Sequence, residues 1–86
     1  MLSYLDTKNV LFTRGVTFDL KQYLFVAQVV LGEDATTAYA MVYDTKNFVK
    51  ETGTEDEQEY LSKFKKDADV MLQQQECIHL REYLDD

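Results

Sequence analysis

Residues 23–31, Tyr-Leu-Phe-Val-Ala-Gln-Val-Val-Leu, form the longest apolar run of the chain, broken only by Gln28. Read as a strand, the run is apolar on both faces, with Leu24, Val26 and Val30 on one and Tyr23, Phe25, Val29 and Leu31 on the other. A strand of that kind must be covered on both sides, so the run predicts a central strand. Gly32-Glu33-Asp34 is a turn signal. Beyond it, Thr37, Tyr39, Met41 and Tyr43 alternate with Ala38, Ala40 and Val42. The two runs, 23–31 and 36–43, therefore predict a β-hairpin.

A competing reading exists for the first run. Asp19 followed by Gln22 resembles a capping box, and Gly32 can end a helix, which predicts a helix over 20–31 instead. Four of the residues over 25–30 are aromatic or β-branched and lose side-chain freedom in a helix, which favours the strand.

Helix signals come later. Thr54 and Glu57 have capping-box spacing, and Glu55, Asp56 and Glu57 suit the positive end of a helix. Tyr60, Leu61, Phe64, Ala68, Met71 and Leu72 recur at helical steps, and Glu59 precedes Lys63 by four residues. A helix is expected over about 55–75. Further strands are expected over 10–18, as a small hairpin around Arg14-Gly15, and over 77–84, where Ile78 and Leu80 alternate with polar neighbours. Asp85 and Asp86 would sit poorly at the negative end of a helix. The expected fold class is α+β: a small antiparallel sheet packed against one helix, in a single domain of 86 residues.

Charge narrows the function. Up to Gly32 there are two acids and three bases; from Glu33 onward there are fourteen acids and six bases, which together make the net −7. Nucleic-acid affinity rests on Lys and Arg displacing counterions, and this chain has no basic stripe, so direct DNA or RNA binding is not expected. A membrane helix needs about 20 apolar residues, which no stretch supplies. With no leader signature and Cys77 as the only cysteine, the expected place is the cytoplasm, without a disulfide.

Catalytic chemistry finds little support. His79 is the only histidine, and a strand would put it on one face with Cys77, but no oxyanion or elbow motif accompanies them. The ordinary reading is a half-exposed strand histidine beside a small buried or edge cysteine. Zinc needs three or four Cys or His ligands. An EF-hand starting at Asp44 would reach Glu55 at its last position, yet it would put Phe48 and Val49 where a ligand and a glycine belong. No glycine-rich phosphate loop is present. No cofactor, metal or enzymatic activity is expected.

The remaining pointers are two. Glu51, Glu55, Asp56, Glu57 and Glu59 form an acidic stretch without an intervening base. Tyr39 and Tyr43 would share a face of the second strand, either as an interface for a partner or second copy, or packed under Tyr60, Phe64 and Met71. The expected function is a small non-enzymatic protein-interaction module with a basic partner. A specialised version is a virus- or mobile-element-type inhibitor that mimics DNA phosphates with carboxylates, although Lys63, Lys65 and Lys66 interrupt the row. A ligand-binding domain or enzyme without a recognisable motif is the third reading.

Overall fold

The computed structural model describes residues 3–53 and 55–85, and among these there are seven helices and no strand. The expected α+β fold is thus corrected to an all-helical one. α1 is Tyr4–Thr13, α2 Leu20–Val30, α3 Ala35–Tyr43, α4 Thr45–Glu51, α5 Glu57–Ser62, α6 Lys65–Gln73 and α7 Gln75–Asp85.

The run expected as a central strand is α2, and its ends explain why. The Asp19 carboxylate accepts the Gln22 N–H at 2.7 Å, while the Gln22 side chain accepts the Asp19 N–H at 2.9 Å. This capping box satisfies two of the donors a helix start leaves open. At the other end Gly32 has φ +105°. There the Glu33 N–H reaches the Gln28 carbonyl and the Gly32 N–H the Val29 carbonyl. This is a Schellman closure, which needs the left-handed conformation that glycine adopts without strain. Caps and packing together outweigh the modest helix penalty of β-branched side chains.

The run expected as the hairpin's second strand is α3, capped by the Asp34 side chain accepting the Thr37 N–H. The supposed hairpin at 10–18 is the last turn of α1 and its exit. The Val16 and Gly15 N–H groups close onto the Leu11 and Phe12 carbonyls, with Gly15 at φ +80°. The expected strand over 77–84 is α7, which puts Cys77 and Leu80 on one buried line and runs on to Asp85 despite its charge. The expected long helix is two helices, α5 and α6, with a break at Lys63 and Phe64. Of its capping pair, Thr54 lies outside the described residues.

Four helices close a ring around the core: α2 packs on α3, α3 on α6, α6 on α7, and α7 on α2. Phe25, Val26, Ala38, Ala68 and Leu80 are fully buried inside it, and Cys77 nearly so. The alanines bring α3 and α6 close to their neighbours, since no longer side chain stands between. α1 joins at one side through buried Leu11 and through Tyr4, whose ring lies edge-on to Phe18 and Tyr23 at 5.8 and 5.3 Å. α4 and α5 pack on α3 outside the ring.

Candidate functional site

The acidic stretch folds into a corner made by the end of α4, a turn and the short α5. α4 places no residue in the core, and α5 places only Tyr60 there. Gly53, at φ +89°, turns the chain, and its N–H donates to Glu57 Oε2 at 3.3 Å. Glu57 is thereby turned back on the loop.

Glu51, Asp56, Glu59, Tyr60 and Lys63 line a shallow hollow of about 200 Å³. Three of the five expected acids are thus brought together. Glu55, Asp56 and Glu59 are exposed, Glu51 half-buried, and Glu55 stands outside the hollow.

Tyr60 ties the corner down. Its hydroxyl donates to Asp44 Oδ2 at 2.9 Å, and Asn47 Nδ2 donates to the other oxygen at 3.0 Å. Its ring meets Phe64 edge-on at 5.4 Å, and Lys63 Nζ sits 5.8 Å from its centroid. Burial pushes the Tyr60 hydroxyl up to about 12, helped by the hydrogen bond to Asp44 and the charges of Asp44 and Glu51. It therefore stays protonated near neutrality and serves as a donor. Asp44 and Lys63 were not expected at this site. The sequence signal was available for Lys63, four residues after Glu59, but nothing in the sequence links Asp44 to Tyr60.

Tyr39 and Tyr43 lie behind this corner, on α3 and outside the hollow. Their rings stack at 4.6 Å, four residues apart on one helical face. Tyr39 also meets Phe25 edge-on at 5.9 Å and Phe64 at 5.8 Å. Both are half-buried, and an aromatic chain runs from Phe25 through Tyr39 and Phe64 to Tyr60. Tyr43 carries Lys21 Nζ 5.6 Å from its centroid. Burial first, then the charge of Asp19, pushes the Tyr43 hydroxyl up to about 12. The strand face that was to present these two rings does not exist. Tyr39 packs against Phe64, one of the residues expected beneath the pair, and Tyr43 stacks on Tyr39.

Cys77 and His79 are not brought together. Two residues apart on α7 they point to different sides, the cysteine buried and the histidine exposed. Burial, then the charges of Glu76 and Asp19, pushes the Cys77 thiol up to about 11, away from reactivity. His79 borders an open hollow with Arg14, Gly15 and Glu76. Among the described residues no group of three His, Cys, Asp or Glu side chains is placed to hold a metal ion. Among them, too, no helix is long and apolar enough to cross a membrane. No family model matches the chain, and no curated protein or solved structure matches it.

Proposed function

We propose that the chain is a small non-enzymatic interaction module whose acidic corner receives a basic side chain of a protein partner. The observation that carries this reading is the hollow in which Glu51, Asp56 and Glu59 converge beside the ring of Tyr60. The side chains of Asp56 and Glu59 make no hydrogen bond among the described residues, so helix capping does not use them. A guanidinium would find carboxylate acceptors and an aromatic face within one concavity, a combination suited to arginine. In the free chain Lys63 reaches over the same ring. The surplus of acids after Gly32 would speed encounter with a positive surface.

The phosphate-mimic version needs an unbroken carboxylate row, and Lys63 stands within the hollow itself, so the broader reading is the one proposed. The test is capture from a lysate of the cells that make the protein, using immobilised chain. Partners should elute with moderate salt. They should be lost from a Glu55→Gln, Asp56→Asn, Glu59→Gln variant that keeps its helix content. A captured set indifferent to both salt and neutralisation would overturn the reading.

A further inference from the structure

α5 and α6 meet at a break whose cause is not in its own sequence. The stripe of Tyr60, Leu61, Phe64, Ala68, Met71 and Leu72 keeps helical steps straight through it, and no glycine or proline lies between Glu57 and Gln73. Sharp bends in helices ordinarily come from such residues or from a group that enters the hydrogen-bond ladder.

The backbone at the joint is close to continuing. Lys63, at φ −61° and ψ −29°, is already helical. Phe64, at φ −100° and ψ −3°, departs from helical values by about 40° in each angle. There the Lys63 and Phe64 N–H groups reach back only three residues, to the Tyr60 and Leu61 carbonyls at 3.3 and 3.0 Å. The ladder is then interrupted. The Lys65, Lys66 and Asp67 N–H groups meet no acceptor among the described residues, and α6 has no side-chain cap. Nor do the Ser62 and Lys63 carbonyls meet a donor among them. In one continuous helix Lys66 would bond to Ser62 and Asp67 to Lys63, so the open groups are each other's partners.

What holds the bend comes from outside the ladder. Tyr60, only 6% exposed, donates its hydroxyl to Asp44 Oδ2 at 2.9 Å. Ser62 Oγ donates to the Glu59 carbonyl at 2.7 Å, the acceptor that the Lys63 N–H would use in a continuous helix. Back-bonding of this kind bends helices. Tyr60 and Phe64, four apart, are neighbours on a continuous helix as well, so their ring contact does not oppose straightening. The balance is close: one bond to a carboxylate and the seating of one tyrosine stand against about two backbone bonds.

We propose that the joint of α5 and α6 is a two-position device latched by the bond from Tyr60 to Asp44. Released, it closes into one helix over 57–73 and takes the acidic hollow apart. Glu51 belongs to α4, whereas Asp56, Glu59, Tyr60 and Lys63 belong to α5 and its caps, so the hollow spans the part that moves. A ligand that fills the hollow favours the bent form, and by reciprocity the latch sets that ligand's affinity.

Nuclear magnetic resonance of the isolated chain tests the device with no partner present, so its failure is separate from failure of the acidic corner to bind one. Tyr60→Phe keeps the ring and removes the latch. The Phe64 Cα shift should move toward the helical range. The Lys66 and Asp67 amides should exchange at least about twofold more slowly, the mark of at least about half the molecules being joined. Far-UV circular dichroism should show more helix in a less stable chain, whereas loss of a merely structural tie would show less. Ser62→Ala, at an exposed position, removes the competing bond and should move the same readouts in the same direction. It decides the outcome if Tyr60→Phe does not fold. Asp19→Ala, which removes a cap elsewhere, should leave Phe64, Lys66 and Asp67 as they were. Lys66 and Asp67 amides that exchange as fast in both variants as in the native chain overturn the proposal, whatever the helix content. So does an equal slowing in Asp19→Ala.

Discussion

α2 and α4 are both entered through an aspartate, and the two aspartates are used differently. Asp19 spends its carboxylate on the helix it begins, in a reciprocal bond with Gln22. Asp44 makes no side-chain cap for α4; its oxygens accept from Tyr60 and Asn47 instead. α2 is thus secured locally and then anchored by Phe25 and Val26. The corner of α4 and α5 is held by a tie between residues sixteen apart in sequence. The core and the candidate site are stabilised by different means, so they should respond differently to perturbation.

The largest expected effect is in the core. Phe25→Ala should cost about 3–5 kcal/mol, read from the denaturation midpoint, which is most of the stability of a chain this small. A loss below about 1 kcal/mol would mean that the ring of four helices is not the stabilising unit. Next comes Tyr60→Phe, which keeps the ring but leaves Asp44 one donor short, for about 1–2 kcal/mol. Amide exchange should quicken in α4 and α5 and stay unchanged in α2. Equal quickening in both would erase the distinction drawn above.

The same tyrosine gives the comparison a pH dependence. Its folded value lies near 12, above the ordinary 10.0. The folded state therefore holds this proton more tightly, and the stability linked to it is whole below pH 10 and drains away between 10 and 12. Tyr43 adds to the loss over the same window. Thermal melts across it should fall less steeply for Tyr60→Phe than for the native chain.

Asp19→Ala should cost about 1 kcal/mol through the lost cap, and should fray the first turn of α2 without disturbing the corner. The smallest effect is expected at Val49, which is 74% exposed on α4. Val49→Ser should stay within about 0.5 kcal/mol of the native stability. A larger loss there would show that α4 is packed more firmly than its lack of buried residues implies.

Sequence pattern and structure part company where two periods overlap. Tyr39 and Tyr43 share a face on a strand and also on a helix, so their spacing did not discriminate. Ala38 and Ala40 are the better signal, being strong helix formers within the expected strand over 36–43. For α2 the end chemistry decides, Asp19 with Gln22 and then Gly32, and it outweighs the strand propensity of the residues between. The apolar character on both faces of 23–31 predicts a covered central strand; the run is a helix instead, and Leu24 and Leu31 stay exposed. At the candidate site, the acidic stretch was visible as a run of letters. Its hollow was not, because it depends on Tyr60 reaching Asp44, a contact that no local pattern encodes.

The ring of helices has a consequence for the way the chain is made. α2 takes much of its cover from α7, the last helix described. During synthesis, Phe25 and Val26 emerge long before residues 75–85 can cover them. The nascent chain therefore carries α2 half-clad until residues 75–85 have emerged. Over that interval its apolar side chains stay open to water, and a ribosome stalled before α7 would display a segment prone to aggregate.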